Sequence, residues 1–272
     1  MLSTAGNEAP AFDADCLFQK AFGMNRQERV LHGGEPAQQE NARAYFKHAE
    51  ERAQGRPLQY ILGKWPFMEM ELLVGEGVLI PREETELLVY TAAERFKGKE
   101  HPVILDLCSG TGAVALGLAS LFPTARIYAA ELYDEAYSYL LKNIAETGWH
   151  NVTPVRADVL QAAETEKFSS LDCIVSNPPY VTAEEMRTLQ AEVQREPRTA
   201  LDGGVDGLVF YRAIASHWLP KLKPGGVLAV EVGDKQAAEV ADLFRAAELQ
   251  DIQVKKDFNR IERVVAGIRG NS

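Results

Sequence analysis

From residue 103 onwards, short apolar runs rich in β-type residues alternate with helical stretches, and this alternation constrains the fold more than any other feature of the sequence. The apolar runs are VILDL (103–107), RIYAAE (126–131), VTPV (152–155), LDCIVS (171–176), GVLAVEV (226–232), IQVKK (252–256) and RVVAGI (263–268). Helical stretches follow the first two runs and also precede IQVKK. Alternation of this kind predicts an α/β fold in which helices cover both faces of a mostly parallel sheet.

Before this region the pattern differs, and no strand signature occurs ahead of residue 57. Gly and Pro separate three helical stretches, 11–23, 26–34 and 36–55, with Pro36 expected in the first turn of the third helix and Gly55 at its end. These stretches predict a helical domain at 1–56.

Residues 57–85 are expected to link the helical domain to the α/β domain at 86–272. An alternating run at 67–72 and an extended run at 78–80 flank Gly75 and Gly77, which predicts a β-hairpin followed by a helix. Met68 and Met70 are two residues apart, so we expect both on one face of a strand that packs on the core.

The charge balance is acidic, with 29 Lys+Arg against 39 Asp+Glu and a net charge of −10. Lysine and arginine supply most of the non-specific affinity of proteins for nucleic acids because they neutralise phosphates. We therefore expect no stable binding to DNA or RNA. No apolar stretch approaches the ~18 residues that a membrane span needs, and the first sixteen residues hold no signal-peptide core. These features predict a cytoplasmic protein without membrane contact.

Cysteine and histidine show no metal-ligand spacing. The three cysteines, Cys16, Cys108 and Cys173, are far apart, which favours a reducing compartment and argues against zinc or a redox dithiol. The five histidines are scattered, at positions 32, 48, 101, 150 and 217. We predict no metal site.

A glycine loop follows the first β-type run. Residues 103–107 lead into Cys108-Ser109-Gly110-Thr111-Gly112 and then into a helix that starts near Ala113, an arrangement that lets the backbone approach a ligand closely. The spacing is not that of a dinucleotide site, because Val114 stands where that fingerprint has its third glycine. This argues against an NAD-linked oxidoreductase.

Two acidic residues follow the next two β-type runs. Glu131 closes the second run, where a carboxylate can accept ribose hydroxyls, and Asp158 follows the third, where it can meet an adenine amino group beside Val159. Either carboxylate alone would more often be a solvated strand end. Their placement at successive strand ends favours a nucleoside site.

The segment Asn177-Pro178-Pro179-Tyr180 follows the fourth run and is the most informative in the chain. The Asn177 side-chain oxygen and the Pro178 backbone carbonyl are two acceptors that can hold both hydrogens of a planar amide or exocyclic amine. Tyr180 adds an aromatic face against that planar group. Because ligands of open α/β sheets bind at strand carboxyl ends, the segment predicts methylation of such a nitrogen.

These motifs resemble the class I S-adenosylmethionine-dependent methyltransferases and, within them, the HemK-type protein-(glutamine-N5) methyltransferases that modify bacterial release factors. The resemblance covers nearly the whole chain and rests on 56–63, 79–86, 106–112, 177–180, 196–204 and 262–264. The sequence departs from the family at Cys108 and Ser109, where many members have Gly and Thr, and at Glu131, where Asp is commoner.

The resemblance implies a Rossmann-like class I methyltransferase sheet with an antiparallel last strand, a small N-terminal helical domain for substrate recognition and a β-hairpin linker. It implies methyl transfer from S-adenosylmethionine to the glutamine of the Gly-Gly-Gln motif in class I peptide-chain release factors, by direct displacement. Arg82 and Glu86 are expected near the mouth of the site or as a structural ion pair.

The resemblance also assigns the site residues. Asn177, Pro178 and Tyr180 are expected to be catalytic, and Asn177, Pro178, Pro179 and Tyr180 to bind the substrate glutamine. The expected cofactor-binding residues are Asp106, Cys108, Ser109, Gly110, Thr111, Gly112, Glu131, Asp158, Val159 and Asn177. Nothing near Cys108 in sequence suggests a base, so we interpret it as a packing residue rather than a nucleophile.

Three alternatives remain open at the level of sequence. The same site chemistry suits a ribosomal-protein glutamine, or an exocyclic amine of DNA or rRNA in a flipped base, although the net charge opposes the latter. A non-catalytic protein that retains the nucleotide fold is the third. The default expectation for assembly is a monomer.

Overall fold

The computed structural model describes residues 2–3, 9–95 and 98–270. Residues 1, 4–8, 96–97 and 271–272, which belong to the predicted domains at 1–56 and 86–272, lie outside this description. The first four helices are α1 (Pro10–Phe22), α2 (Arg26–His32), α3 (Gln39–Ala53) and α4 (Leu58–Leu62). Gly23 ends α1 in the left-handed conformation, and Asn25 begins α2 through a capping box with Glu28. Apolar side chains of α1, α3 and α4 share one small core, which contains Leu17, Ala49, Leu58 and Ile61.

Two details of the helical unit differ from the sequence expectation. The third helix begins at Gln39, so Pro36 lies ahead of it rather than in its first turn. In addition, α4 follows residue 56 and contributes two fully covered side chains, Leu58 and Ile61, to the helical core. The boundary at 56 stays a prediction.

The hairpin is shorter than predicted and lies in a different register. Its strands are β1 (Lys64–Phe67) and β2 (Met70–Leu73), with Phe67 opposite Met70. The run at 67–72, predicted as one strand, therefore contains the turn, and the run at 78–80 forms no strand, although Val78 and Ile80 are buried. The expectation that Met68 and Met70 share a face of one strand is wrong.

Tertiary contacts explain this turn. Met68 has a positive φ of 50°, and its backbone N–H donates to Glu86 Oε1 at 2.7 Å. Its sulfur packs so closely on the helix Ala113–Leu121 that a Cβ added at Gly117 would lie 2.7 Å from it. These contacts hold a methionine in a backbone conformation that ordinarily favours glycine.

The remaining elements form the α/β part of the chain. The strands are β3 (Val103–Leu107), β4 (Arg126–Glu131), β5 (Val152–Arg156), β6 (Leu171–Ser176), β7 (Leu222–Glu231), β8 (Leu249–Lys256) and β9 (Glu262–Arg269). The helices are α5 (Glu86–Arg95), α6 (Ala113–Leu121), α7 (Asp134–Thr147), α8 (Val209–Ala213) and α9 (Ala237–Ala246). Short 3₁₀ turns lie at Glu83–Thr85, Ala162–Lys167, Glu185–Arg187, Val193–Arg195, Arg198–Ala200 and Leu219–Lys221, and a π-turn at Ile214–Trp218.

In the described part of the chain, strands β3 to β9 form one seven-stranded sheet in the order β5-β4-β3-β6-β7-β9-β8. β9 runs antiparallel to both of its neighbours, and the other pairings are parallel. The predicted α/β class, the mostly parallel sheet and the antiparallel last strand are confirmed.

Helices cover both faces of this sheet. Leu88 of α5, Leu116 of α6 and Leu140 of α7 belong to one apolar cluster, whereas Tyr211 of α8 and Phe244 of α9 belong to the other. The central strand β6 is buried along its whole length, which explains its nearly continuous apolar sequence. The strand order reverses between β3 and β6, and in open α/β sheets a crevice forms at the carboxyl ends of strands at such a point.

Candidate active site

A cavity that is open to solvent lies at the carboxyl ends of β3, β4 and β6. Ten of the predicted site residues line it: Asp106, Cys108, Ser109, Gly110, Thr111, Glu131, Asp158, Val159, Asn177 and Pro179. Gly112, Pro178 and Tyr180 are not among the lining residues. The structure therefore brings most of the predicted residues to one place, although they come from loops far apart in sequence.

The glycine loop turns sharply between β3 and α6. Cys108, Gly110 and Gly112 all have positive φ, at 59°, 55° and 85°. Gly112 also lies close to α7, because a Cβ added there would lie 2.6 Å from a methyl group of Leu140. Ser109 anchors the loop, since its hydroxyl donates to the carbonyl oxygens of Asp106 and Ala130 at 3.0 and 3.1 Å.

Cys108 carries a side chain in a conformation that glycine adopts more readily. Its half-buried thiol packs against the apolar cluster on the α8 and α9 side of the sheet. Burial raises the thiol's pKa well above its ordinary value, so the sulfur stays protonated. A protonated thiol is a poor nucleophile, which agrees with a packing role.

Asp106 holds an unpaired acceptor in the wall of the cavity. The side chain is 1% exposed, Oδ2 accepts a hydrogen bond from Ala115 N at 3.1 Å, and Oδ1 has no partner within the described part of the chain. Burial raises the carboxyl pKa to about 8. A buried oxygen without a partner is costly unless a ligand supplies a donor or a positive charge. This position fits the ammonium group of an amino-acid ligand.

Glu131 organises the loops on either side of β4. One carboxylate oxygen accepts from Gly110 N at 2.9 Å, and the other accepts from Leu132 N and Tyr133 N at 2.8 and 2.9 Å. A carboxylate can accept about four hydrogen bonds, and three are already formed, so Oε2 can accept roughly one more. The side chain can thus accept one ribose hydroxyl while it holds the glycine loop in place.

Asp158 and Val159 form the next part of the wall. Asp158 is half-buried, and its Oδ1 accepts from Leu160 N at 2.9 Å. The Val159 side chain is 4% exposed, and its carbonyl oxygen accepts from Trp218 Nε1 at 2.8 Å. An apolar side chain beside a carboxylate suits a flat ring that carries an amino group.

The segment 177–180 follows β6 directly, and hydrogen bonds fix two of its side chains. Asn177 Nδ2 donates to Thr85 Oγ1 at 3.2 Å, and among the described residues Asn177 Oδ1 accepts no hydrogen bond. The Tyr180 hydroxyl lies 3.5 Å from Glu231 Oε1, and the Tyr180 carbonyl oxygen accepts from Gln236 Nε2 at 3.1 Å. Burial raises the phenol's pKa, so Tyr180 is neutral. The amide oxygen of Asn177 is therefore available at the cavity.

Comparisons with known proteins give this site its family. The family model described as the PrmC N-terminal domain matches residues 1–63, and the one described as the methyltransferase small domain matches 83–219. The release factor glutamine methyltransferase of Moorella thermoacetica is 36% identical over 98% of this chain and 94% of its own length. The chain belongs to the release factor glutamine methyltransferase family. The resemblance seen in the sequence is thereby confirmed.

Further relatives agree with this assignment. The release factor glutamine methyltransferase of Caulobacter vibrioides is 35% identical over 98% of this chain and 92% of its own length. A solved methyltransferase structure from Pyrococcus furiosus covers 84% of this chain and 97% of its own, with a TM-score of 0.55 and 17% identity. At that identity the similarity concerns the fold.

In this member of the family, sequence reasoning missed two residues that contact the 177–180 segment. Thr85 lies just before α5 and Glu231 at the end of β7, and the Thr85 hydroxyl donates to Glu231 Oε2 at 2.6 Å. Both side chains are buried, with 3% and 2% exposed. Thr85 lies in the 79–86 stretch and Glu231 at the end of an apolar run, but no local pattern shows that the two residues meet, because they lie 146 positions apart.

Arg82 and Glu86 do not pair with each other. Arg82 lines the cavity and forms an ion pair with Glu196, whose second oxygen accepts from Ile80 N at 2.9 Å. Glu86 instead supports the hairpin turn at Met68. The expectation of an ion pair between Arg82 and Glu86 is wrong, whereas Arg82 does lie at the cavity.

Residues 2–3, 9–95 and 98–270 contain no group of three or more His, Cys, Asp or Glu side chains placed to hold a metal ion. Cys16, Cys108 and Cys173 are all free thiols. Over the same ranges, no helix has the length and apolar character required to cross a membrane.

Proposed function

We propose that this protein transfers a methyl group from S-adenosylmethionine to the side-chain nitrogen N5 of the glutamine in the Gly-Gly-Gln motif of class I peptide-chain release factors. The observation that carries this proposal is the Asn177 amide, which is fixed at the cavity and whose oxygen accepts no hydrogen bond from any residue that the structure describes. The names of the relatives support the substrate class.

The residues around the cavity fit the cofactor. Asp106 Oδ1 would accept the ammonium group, Glu131 Oε2 a ribose hydroxyl, and Asp158 the adenine amino group beside Val159. The loop at 108–112 would approach the methionine part through its backbone. When bound, S-adenosylmethionine supplies an electrophilic methyl carbon on a sulfonium sulfur.

The 177–180 segment would hold the substrate. Asn177 Oδ1 and the Pro178 carbonyl oxygen accept the two hydrogens of the glutamine amide and aim its nitrogen at the methyl carbon. Held in this way, the amide nitrogen would be placed to take the methyl group that bound S-adenosylmethionine supplies, the sulfonium sulfur would leave as a thioether, and one N–H proton would pass to water. The neutral Tyr180 ring, which is not among the residues that line the cavity, would lie next to the planar amide through its place in the same segment, where an aromatic side chain stabilises developing positive charge.

We propose further that the helical domain at 1–56 contributes to docking of the release factor, and that the enzyme acts as a cytoplasmic monomer. A ribosomal-protein glutamine would need the same active site and a different docking surface. An exocyclic amine of DNA or rRNA would need a basic surface for phosphates, which a net charge of −10 opposes.

Mass spectrometry tests the proposal. A recombinant release factor incubated with this protein and S-adenosylmethionine should gain about 14 Da, one CH₂, on the glutamine of Gly-Gly-Gln. Asn177→Ala should lose the gain, whereas Asn259→Ala, at an exposed asparagine, should retain it. A release factor with alanine in place of that glutamine should stay unmodified.

One result would contradict the proposal. If folded protein that binds the cofactor adds no methyl group to the release factor, the substrate assignment is wrong. Incubation with ribosomal proteins and with rRNA would then identify which alternative substrate accepts the label.

A further inference from the structure

Glu231 is a buried carboxylate at the carboxyl end of β7, with one oxygen facing Thr85 and the other facing Tyr180 of the 177–180 segment. Its Oε2 accepts from the Thr85 hydroxyl at 2.6 Å, and its Oε1 lies 3.5 Å from the Tyr180 hydroxyl. The Thr85 oxygen in turn accepts from Asn177 Nδ2 at 3.2 Å. A continuous chain of hydrogen bonds therefore runs from Glu231 through Thr85 to Asn177.

The direction of this chain follows from the chemistry of its members. An ionised carboxylate only accepts hydrogen bonds, so the Thr85 hydroxyl must donate its single hydrogen to Glu231. The Thr85 oxygen is then left as an acceptor, and only the NH₂ group of Asn177 can bond to it. The Asn177 carbonyl oxygen must consequently face the cavity, which is the orientation that can accept hydrogens from a substrate amide.

We propose that Thr85 and Glu231 are positioning residues that fix the orientation of the Asn177 side-chain amide. This inference rests on the proposed function for its catalytic consequence, but the orientation itself is a property of the protein without substrate. A flipped Asn177 would present its NH₂ group to the substrate NH₂ group, and two donors cannot bond to each other.

Protonation of Glu231 would remove its control over the orientation of the Asn177 side-chain amide. A protonated carboxyl can donate to Thr85, which is then free to donate to Asn177 Oδ1 and to favour the flipped amide. Several groups face Glu231 from the surrounding elements: Glu84 and Arg82 from the segment before α5, Arg263 from β9, and Tyr180 after β6. The effect of burial is larger than that of these charges and raises the Glu231 pKa to about 7. The change in control of the Asn177 orientation is therefore expected near neutral pH.

Nuclear magnetic resonance tests the orientation without any activity. In protein labelled with ¹⁵N-asparagine, the Asn177 NH₂ signals, assigned by their loss in Asn177→Ala, should show one hydrogen-bonded proton at pH 8. Thr85→Val should abolish that feature, and Thr85→Ser, which keeps the hydroxyl, should retain it. Thr91→Val changes a buried threonine of the adjacent helix α5 and should leave the signals as in wild type.

Steady-state kinetics with saturating cofactor test the catalytic consequence. Thr85→Val should raise the KM for the release factor about tenfold, the value of one hydrogen bond, with kcat within about twofold, because fewer molecules hold the competent orientation. Thr85→Ser should restore KM. A merely structural effect would instead lower kcat and cofactor affinity together.

The pH dependence provides a separate readout. In the wild type, kcat/KM should rise with pH through about 7 and then level off. Glu231→Gln cannot ionise, so its kcat/KM should be lower and flat between about pH 6 and 8.

These outcomes separate the two proposals. Wild-type KM and unchanged Asn177 signals in Thr85→Val would overturn the positioning role even if the release factor is methylated. The expected Asn177 signals in a protein that methylates no release factor would instead contradict the proposed function and leave the orientation intact.

Discussion

At the scale of single residues, Asp106 is the side chain whose buried state most demands a ligand. Its Oδ1 lacks a partner in the described structure, and it lines the cavity that also contains the Gly110 and Glu131 loops. A cation placed there would satisfy the oxygen and would favour the ionised carboxylate over the protonated form.

We therefore expect Asp106→Asn to weaken binding of S-adenosylhomocysteine by about tenfold to a hundredfold, the value of a charged hydrogen bond. Binding of 5′-methylthioadenosine, which lacks the amino-acid part, should not change. Isothermal titration calorimetry measures both affinities, and Asp242→Asn, at an exposed carboxylate, is the matched control. Equal losses for the two ligands would refute an ammonium contact.

The raised pKa of Asp106 also predicts that ligand binding is coupled to release of a proton. With a pKa of about 8, most Asp106 side chains are protonated at pH 7 before the ligand binds. Binding of an ammonium group lowers that pKa, so complex formation should release close to one proton per site at pH 7. Calorimetry in two buffers of different ionisation enthalpy measures this release, which should vanish in Asp106→Asn.

Sequence and structure agree best where the functional residues are consecutive. Two local motifs contain these residues, Asp106 to Gly112 and Asn177 to Tyr180. Each motif directly follows one predicted strand, so the local sequence pattern was sufficient to identify it. Thr85 and Glu231 could not be found in this way. For example, 92 positions separate Thr85 from Asn177, and only the folded tertiary structure brings these two side chains into contact. A glutamate at the end of a buried strand was the only available signal.

At the scale of secondary-structure elements, the βα units were predictable and the hairpin was not. Each strand of the sheet combines an apolar run with a polar or glycine-containing exit, which is a strong local signal. The hairpin turn uses Met68 and Glu69, neither of which favours a turn, and the partners that stabilise it lie in α5 and α6. Local propensity therefore gave the wrong register.

The cost of a side chain at Gly112, in the turn between β3 and α6, can be compared with the cost at Gly148, which follows α7. Gly112 and Gly148 both have positive φ, at 85° and 72°, but only Gly112 is crowded. Gly148→Ala should cost about 1 kcal/mol of unfolding free energy, because alanine resists a positive φ. Gly112→Ala should cost about 2 kcal/mol more, because its Cβ also meets Leu140 at 2.6 Å.

Urea denaturation followed by circular dichroism measures both variants. A smaller loss in Gly112→Ala than in Gly148→Ala would show that the loop relaxes away from α7 at little cost. Leu140→Ala combined with Gly112→Ala is a useful check, since removal of the crowding methyl groups should make the cost of the added Cβ smaller than in the wild-type background.

At the scale of the whole molecule, the segment at 181–200 connects the helical unit, the linker and the cavity. Glu192 forms an ion pair with Arg52 of α3, and Arg195 Nη2 donates to the Gln54 carbonyl oxygen at 3.3 Å. Glu196 holds Arg82 and the backbone of Ile80 in the linker. Residues near its end line the cavity, so the position of the helical unit and the shape of the site are structurally linked.

Arg52 is central to that connection because it is buried. Its side chain is 6% exposed, and its Nε donates to Asp13 Oδ2 at 2.7 Å in addition to the pair with Glu192. Removal of one member of a buried ion pair takes away a large part of the compensation of the other charge in a poorly solvated place. The larger part of the cost should therefore arise at Asp13, which is also buried.

We accordingly expect Arg52→Met to lower the free energy of unfolding by about 3 to 5 kcal/mol, and Asp13→Asn combined with Arg52→Met to recover more than half of that loss. Arg245→Met removes an exposed ion pair with Asp242 and should cost less than about 1 kcal/mol. Urea titrations of the three variants measure these differences. If Arg52→Met costs no more than Arg245→Met, solvent must reach the Asp13 carboxylate, and the contact between α1, α3 and the 181–200 segment must open readily in solution.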